Sequence, residues 1–494
     1  MTTGVWRVQF IREELPAART DLPFAVDVAG WTDWVESAGL EVGTPILVSP
    51  LFEYDVALNG FFGSPGMRSA AVATQHGYAR DLAAFFTFLW QSRGRRSWRD
   101  AGVGDHLAYS AWRRRDAAGP KVAGRTWDRE VAAVDRFYRW AVGKQLVQTS
   151  PIPQTSRRHG VGDQLRRQTM DEQRPATYAH DSAAEHIEWL PPGSYRRWRD
   201  TGVRGFSAEG LPRTRFRGRW AARNTAFCDL MVRTGLRLSE QASLTTLDLP
   251  SAETLGGGYR KFWLPAAIAK GGSARWIYVP RSVHADLDAV ARWDRSEVVA
   301  AAVEQGRYRR WRRPWVLEDP ERALARRVGG SELVKVSHLR LAERRLLLVD
   351  GPDGLVPAMF WLGERGEPLS VSAWKEMFCQ ANWRCAAVGV ELRAHAHLLR
   401  HTFAVVTLEQ LQRGHLAQLA QWSGEQREHY TRIFGDPLDW VRRRLGHRSV
   451  VTTQIYLHAL AELEMETRMA LVPDDWEPPD LTVEETPEPQ GFAR

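Results

Sequence analysis

The chain has 494 residues, 44% of them hydrophobic, and carries 67 Lys and Arg against 59 Asp and Glu, a formal charge of +8. This length predicts two to four domains and is ample for a large apolar core. The sequence shows no secretory signal and no apolar run near the ~18 residues of a membrane helix, and its three cysteines lack metal-ligand spacing. We therefore expect a cytoplasmic protein rather than a secreted or membrane-spanning one.

The charge is distributed unevenly along the chain. Residues 473–494 hold seven acids and one base, so the remainder has 66 basic against 52 acidic side chains. A basic body is compatible with a polyanionic partner such as nucleic acid, although an ordinary charge excess would give the same balance. The acidic, Pro-rich segment 473–494 is predicted to be disordered.

The first 150 residues predict a helical bundle at 66–150, preceded by an irregular extension over 1–65 whose role the sequence does not reveal. Apolar residues at helical spacing predict helices at about 71–94, 103–115 and 124–144. Arginines line the margins of this bundle, and we predict that it binds DNA through Arg113, Arg114, Arg125, Arg129 and Arg136. The alternative is a structural bundle with solvated arginines. Pro151 ends the bundle, and 151–185 is a basic linker.

The next part of the chain predicts a helix at about 221–233 that stops at Gly235. Arg237 then lies on a tight turn, beside the N-terminus of a short helix for which Ser239 is the expected N-cap. Two strands, 259–264 and 275–280, flank a glycine hairpin that carries Lys270 at its tip or edge. Taken alone, Arg237 could simply pair with Glu240, and Lys270 could simply be solvated.

The remaining elements place two histidines, an arginine and a tyrosine near one another in sequence. Residues 308–362 are a mixed region with one strand-like run at 346–349, followed by a helix at 371–388. His397 and Arg400 lie three residues apart, on one face of the next helix. A helix from Asp436 ends at Gly446, and a last helix over about 450–471 carries Tyr456.

Together these residues have the chemistry of a site that breaks and rejoins a phosphodiester. Guanidiniums can bind phosphate oxygens, and a tyrosine hydroxyl can attack phosphorus. The full set comprises Arg237, Lys270, His397, Arg400, His447 and Tyr456.

The local blocks around these residues resemble the tyrosine recombinase (phage integrase) family. The blocks are Thr-Gly-Leu-Arg-Leu-Ser-Glu at 234–240, Lys-Gly-Gly-Ser-Ala-Arg at 270–275, His-Leu-Leu-Arg-His-Thr-Phe-Ala at 397–404, and Leu-Gly-His-Arg-Ser-Val-Val-Thr-Thr-Gln-Ile-Tyr at 445–456. The resemblance covers about 186–471, and 70–150 resembles the family's helical core-binding domain. It implies a mainly α fold with a small antiparallel β-sheet (α+β), with a catalytic domain over 186–472. The long interval between Lys270 and His397 predicts an insertion at about 300–360.

The resemblance also implies a role for each residue. Arg237 and Arg400 would hold the phosphate, with Glu240 as a partner of Arg237, and Tyr456 would be the nucleophile. Lys270 would be the general acid for the leaving 5′ oxygen. His397 would transfer a proton with Tyr456 or the phosphate, and His447 would donate a hydrogen bond to the phosphate.

The implied activity is site-specific recombination or integration through a 3′-phosphotyrosine, without ATP, metal or other cofactor. The expected partners are double-stranded DNA recombination sites, on which the protein would act as a homotetramer. We expect it to belong to a mobile element and to associate with the nucleoid. Two alternatives stay open: a type IB topoisomerase-like enzyme that nicks and reseals one duplex, and a non-catalytic DNA-binding regulator.

The crowding of His395, His397 and His401 is a weak signal for a zinc site, and we predict no metal.

Overall fold

The structure is a computed structural model that describes residues 4–12, 30, 31, 35, 37, 41–156, 173–179, 187–213, 216, 218–249, 258–421, 436–450, 452–457 and 459. The chain forms two compact units, one within residues 1–184 and one within 185–494. The predicted tail 473–494, most of the linker and the end of the last predicted helix lie outside the described residues. Among the described helices, none has the length and apolar character needed to cross a membrane.

The first unit is a helical bundle with two small strand pairs. Its helices are α1 Val56–Asn59, α2 Pro65–Arg68, α3 Val72–Ser92, α4 Val103–Arg114 and α5 Gly124–Gly143. Its strands are β1 Arg7–Phe10, β2 Pro45–Val48, β3 Gln154–Ser156 and β4 Gln173–Pro175, paired antiparallel as β1–β2 and β3–β4. The three long helices fall where the apolar spacing predicts them.

The N-terminal extension is less irregular than its sequence suggests. Its strands β1 and β2 pair over four residues each, and Leu47 is fully buried. Leu47, Phe61 and Phe62 belong to the same apolar core as Phe85 of α3 and Phe137 of α5. The described part of the extension therefore completes the core of the helical bundle.

The second unit is larger and mainly helical. Its helices are α6 Pro192–Trp198, α7 Ala221–Thr234, α8 Leu238–Ala242, α9 Arg281–Val290, α10 Ser296–Glu304, α11 Leu341–Arg344, α12 Val371–Ala386, α13 Ala396–Gln421 and α14 Pro437–Leu445. Residues 452–457 are also helical. In the core, Phe227 of α7 stacks on Trp374 of α12 with ring centroids 3.6 Å apart. Stacking of these two rings joins α7, which ends just before Arg237, to α12.

Two sheets complete this unit. Strands β5 Tyr259–Leu264 and β6 Arg275–Pro280 pair antiparallel, as predicted. The second sheet consists of β7 Trp315–Asp319, β8 Leu324–Arg327, β9 Leu333–Lys335, β10 Leu347–Gly351 and β11 Gly354–Pro357, in the order β11-β10-β7-β8-β9.

The five-stranded sheet occupies the region where an insertion was predicted. Its β10–β7 pair is parallel and its other pairs are antiparallel. The sequence predicts only one of these strands, because β10 alone is a continuous apolar run, whereas β7 to β9 are short and rich in charge. The predicted fold class, mainly α with small antiparallel sheet structure, is confirmed, and this mixed sheet is an addition to it.

Candidate active site

Arg237 lies on the reversal between α7 and α8. Gly235 ends α7 in the left-handed conformation (φ 65°), and a Cβ there would lie 2.4 Å from the ring of Phe403, so glycine is required for both reasons. The N-cap of α8 is Arg237, not Ser239 as predicted. The helix begins earlier because the Glu240 carboxylate, at its third position, accepts the backbone N–H of Arg237 at 3.0 Å.

Glu240 is the hub of this part of the site. Its buried carboxylate accepts hydrogen bonds from the Arg237 guanidinium at 2.9 Å and from Arg275 at 2.6 Å. Burial alone would raise the pKa of Glu240, but the hydrogen bonds and charges of Arg275 and Arg237 lower it to about 2. The carboxylate thus stays ionised and fixes both guanidiniums. Arg275, within the 270–275 block, was not among the predicted site residues.

Lys270 lies in the loop between β5 and β6. The loop contains a single 3₁₀ turn, Lys270–Gly272, in which both glycines have positive φ near 70°. The backbone N–H of Lys270 donates to Glu240 at 3.2 Å, and the Arg448 guanidinium donates to the Gly271 carbonyl. The Lys270 residue is exposed. Its backbone is therefore fixed to the hub while its ammonium faces solvent.

Arg400 is the most buried guanidinium of the predicted set, with 2% of its surface exposed. It donates to the carbonyls of Gly235 and Leu445, the latter at 2.6 Å. Burial, followed by the nearby charge of Arg237, lowers the pKa of Arg400 to about 9. Carbonyls orient this guanidinium without neutralising it, so a bound anion would be favoured beside it.

His447 follows α14, which Gly446 ends in the left-handed conformation (φ 66°). Its Nε2 lies 3.3 Å from Nη2 of Arg400, and its Nδ1 lies 3.0 Å from the hydroxyl oxygen of Thr453. Since a guanidinium only donates, this contact makes Nε2 an acceptor and Nδ1 the donor to Thr453. Burial and the charge of Arg400 lower the pKa of His447 to about 4.

Tyr456 is 1% exposed, and its hydroxyl oxygen lies 3.0 Å from Nδ1 of His401. Its ring is nearly parallel to that of His447, with centroids 6.3 Å apart. Burial raises the pKa of the Tyr456 phenol, while Arg400 and Arg237 oppose that rise. The structure therefore places the predicted nucleophile within the influence of the charges of both predicted arginines.

The histidine in contact with Tyr456 is His401, which the sequence prediction did not assign to the site. His397 is exposed, and its ring lies against that of His401 with centroids 4.2 Å apart. Burial, followed by the neighbouring charge of His397, lowers the pKa of His401 to about 3. The signal was present in the sequence, because His401 is one turn after His397 on the same helix face.

Three arginines and one carboxylate give the combined site a net positive charge. Arg237, Arg275 and Arg400 share Glu240 as their nearby acid, and the pKa of Tyr456 responds to two of these arginines. Within the described part of the chain, no three His, Cys, Asp or Glu side chains are grouped as metal ligands would be. The arrangement can bind an anion through guanidiniums next to a tyrosine hydroxyl.

The five arginines predicted to contact DNA lie in the first unit and differ in their partners. Arg113 donates twice to the buried carboxylate of Glu130, and Arg129 donates to Asp81 at 2.8 Å. Arg136 donates to the carbonyl of Gly66 at 2.7 Å. Arg125 is exposed, and Arg114 is half-buried. Arg113 thus has a structural role in the bundle, which makes it the weakest of the five as a DNA contact.

Comparisons with known proteins agree with the motifs. Residues 66–145 match the phage integrase N-terminal SAM-like domain. Two curated tyrosine recombinases XerC, from two strains of Lactobacillus delbrueckii subsp. bulgaricus, are each 24% identical over 408 residues, which is 81% of this chain and 93% of the relative.

Two solved structures are also similar to the chain. XerH site-specific recombinase in a post-cleavage complex with difH substrate is 14% identical, with a TM-score of 0.45 and 82% of each chain covered. The Tn1549 transposon integrase in complex with transposon right end DNA is 13% identical, with a TM-score of 0.44, 84% of this chain and 98% of that chain covered. The SAM-like domain match and the curated relatives confirm the predicted resemblance to the tyrosine recombinase (phage integrase) family.

Proposed function

We propose that the protein is a site-specific DNA recombinase or integrase that cleaves and rejoins DNA through a covalent 3′-phosphotyrosine on Tyr456, without ATP or metal. One observation carries the proposal: the Tyr456 hydroxyl contacts His401, and its ionisation is coupled to Arg400 and Arg237. A phosphate held by these guanidiniums would lie next to a nucleophile. Hydrogen-bond donors aimed at developing phosphoryl charge are often worth about 10²–10³ in rate each.

The proposed cleavage step forms one bond and breaks one. The Tyr456 oxygen attacks phosphorus, the bond from phosphorus to the 5′ oxygen breaks, and Lys270 gives that oxygen a proton. Arg237 and Arg400 stabilise the additional negative charge on the non-bridging oxygens. Rejoining reverses these events, with the 5′ hydroxyl as nucleophile, so the phosphotyrosine conserves the bond energy.

The proton of Tyr456 needs an acceptor, and His401 is the best placed. At neutral pH His401 is uncharged, since its pKa is about 3, and its Nδ1 is 3.0 Å from the hydroxyl. His397, whose ring adjoins His401, would accept the proton next or contact the phosphate directly. His447 would donate to the phosphate once the bound anion has raised its pKa and Nε2 has taken a proton from solvent.

We further propose double-stranded DNA recombination sites as the substrate, with a homotetramer assembled on two sites. In this reading residues 66–150 form the core-binding domain, 151–185 a basic linker and 186–472 the catalytic domain. The SAM-like match at 66–145 supports the first assignment. The setting would be the cytoplasm, in association with the nucleoid.

Covalent trapping tests this proposal even when the target sequence is unknown. The purified protein is incubated with a pool of nicked duplexes with randomised half-sites, in which loss of a short fragment prevents rejoining. Wild type should accumulate a protein–DNA adduct at Tyr456, and Tyr456→Phe should retain DNA binding but form none. An adduct that persists in Tyr456→Phe would reject this nucleophile.

The role of Lys270 needs its own substrate. Lys270→Ala should slow cleavage of an ordinary phosphodiester but not of a 5′-phosphorothiolate, whose sulfur leaves without protonation. Equal slowing on both substrates would remove Lys270 as the acid. Relaxation of supercoiled plasmid by a monomer, without strand exchange between sites, would instead favour the topoisomerase-like alternative.

A further inference from the structure

The inserted five-stranded sheet is preceded by a dense run of arginines. Five of the seven residues from Arg307 to Arg313 are arginine, and Arg327 at the end of β8 adjoins them, because its Nε donates to the Arg313 carbonyl at 3.4 Å. We call Arg307, Arg309, Arg310, Arg313 and Arg327 the arginine patch. None of these residues belongs to the candidate active site.

The backbone that carries the patch is fixed from both ends. Tyr308 is buried, donates its hydroxyl to the Gly366 carbonyl at 3.0 Å, and packs edge-to-face against Trp311 with centroids 5.5 Å apart. After the patch, the Pro314 carbonyl accepts the N–H of Val328 at 2.8 Å. The aromatic residues face inward and the arginines alternate with them, so the guanidiniums are presented on a rigid turn.

The patch differs from the other arginines of the insertion in its charge balance. Arg322, Arg326 and Arg340 pair with the acids Asp319, Glu318 and Glu343. By contrast, Arg309, Arg310 and Arg313 are exposed, and no described acidic side chain lies within ion-pair distance of them. The chain has no acid between Glu304 and Glu318. Arg309, Arg310 and Arg313 therefore concentrate positive charge that no described acidic side chain offsets.

The backbone at Arg313 adds a second observation. Its φ of 44° lies in the left-handed region, which is unfavourable for a residue with a Cβ. Residues are held in such conformations where the surrounding structure imposes them, often at ligand contacts. Here the conformation turns the chain from the patch into Pro314 and β7.

We propose that the arginine patch is a second DNA-contact surface, which binds the phosphate backbone of duplex DNA outside the site of cleavage. Guanidiniums without acidic partners suit phosphate, and such contacts contribute affinity without reading sequence. An acidic protein is the less favoured partner, because Val328 is the only exposed large apolar residue of the described stretch 307–328, whereas protein interfaces have an apolar centre. This inference rests on the proposed function for its choice of substrate.

The test is the salt dependence of DNA binding by the full chain. The variant Arg309→Gln/Arg310→Gln/Arg313→Gln removes three charges. It keeps a Cβ at position 313, so the strain of the left-handed backbone conformation there is unchanged. The matched control Arg322→Gln/Arg326→Gln/Arg340→Gln removes three charges from the acid-paired set. Binding to a random duplex of about 40 bp is measured by fluorescence anisotropy from about 50 to 200 mM salt, a range over which phosphate contacts dominate the salt dependence.

Removal of one phosphate-binding charge should reduce the slope of log K against log salt by about 0.9, so the slope of the patch variant should fall by about 2 to 3. Its affinity near 0.1 M salt should fall at least about tenfold. The control should change the slope by less than about 1. Equal slopes and affinities for both variants, with unchanged melting temperatures, would overturn the proposal and leave an acidic protein as the partner to seek. If wild type forms no Tyr456 adduct but the salt slope of the patch variant still falls, the proposed recombinase function is wrong, whereas the proposed DNA-contact surface is retained.

Discussion

Arg113 in the first unit and Arg400 in the second unit are both guanidiniums largely shielded from water, but their partners differ. Arg113 donates to the carboxylate of Glu130, and this partner raises the pKa of Arg113 even though burial alone would lower it. Arg400 donates to two carbonyls, and its pKa falls to about 9. A carboxylate partner neutralises a buried charge and makes it structural, whereas carbonyl partners leave it available to an anion.

Arg237 lies between these extremes. It shares Glu240 with Arg275, so one carboxylate serves two guanidiniums and the balance stays positive. We therefore assign a structural role to the Arg113–Glu130 pair of the bundle and propose phosphate binding for the arginines around Tyr456. The following variants are chosen to challenge that distinction.

The largest expected effect is on the stability of the helical unit. Arg113→Met leaves the buried Glu130 carboxylate without its ion-pair partner and with the Tyr109 hydroxyl as its remaining described donor, which should reduce the free energy of unfolding by about 3–5 kcal/mol. Urea unfolding with hydrogen exchange on α5 measures it. Arg129→Met is the control: it should cost less than about 1 kcal/mol because Arg129 is mostly exposed and its partner Asp81 can bind a proton. Equal costs for both variants would contradict a structural role special to Arg113.

Arg400→Lys should have its main effect on chemistry. Lysine keeps the charge but cannot donate to both carbonyls and also hold a phosphate with a planar fork. We expect cleavage in single-turnover assays to slow by about 10²–10³, with a smaller decrease in DNA affinity. If the rate is retained while binding weakens uniformly, Arg400 is a binding residue only.

His401→Phe should slow cleavage by about 10², because it removes the proton acceptor nearest Tyr456 while filling its space. The pH–rate profile separates the roles. Loss of an acceptor should make the rate of the variant rise with pH as the phenol ionises by itself, whereas a packing defect would lower the rate equally at every pH. His397→Phe provides the comparison, and a larger effect there would return the acceptor role to His397.

The smallest expected effect is a difference in acid sensitivity between the units. His401 and His447 have folded pKa values of about 3 and 4, below the ordinary value near 6.5, so the stability they support above pH 6.5 is lost as pH falls. In the helical unit His106, with a pKa of about 4, acts in the same direction. Burial raises the pKa of Asp81 to about 6 despite Arg129, so its protonation between pH 6 and 4 offsets that loss.

Hydrogen exchange between pH 7 and 4 should therefore show α13 losing more protection free energy than α5, after correction for intrinsic exchange. Each fully titrating group changes stability by at most about 1.4 kcal/mol per pH unit. Asp81→Asn should remove the offset, so that protection of α5 falls with pH as the low pKa of His106 in the same unit predicts. An unchanged α5 profile in that variant would show that Asp81 does not titrate in this range.

Local sequence signals predicted most of the helices because each depends on neighbours along the chain. The apolar stripe through Phe85 predicted α3, and Gly235 and Gly446 predicted helix ends that both adopt positive φ. The start of α8 was misplaced by two residues, because the side chain of Glu240 rather than Ser239 determines it. The five-stranded sheet escaped prediction because its order places β10 between β11 and β7, a pairing that no local pattern encodes.

The site shows the same limit. The blocks around Arg237, Arg400 and Tyr456 identified side chains that the structure brings together. They did not reveal that Arg275 and the Lys270 backbone share Glu240, since those contacts span about 30 residues or more. Nor did they identify His401 as the contact of Tyr456, because two histidines one turn apart are equivalent until the position of the tyrosine is known.

The Tyr456 oxygen is the proposed nucleophile, and peptide mapping of a trapped adduct tests this assignment most directly. Wild-type protein is reacted with the nicked duplex pool, digested with protease and nuclease, and analysed by mass spectrometry. We predict a nucleotide linked through its 3′ phosphate to the peptide containing Tyr456, and none in Tyr456→Phe. A 3′-linked nucleotide on any other residue, or a 5′ linkage at Tyr456, would contradict the assignment.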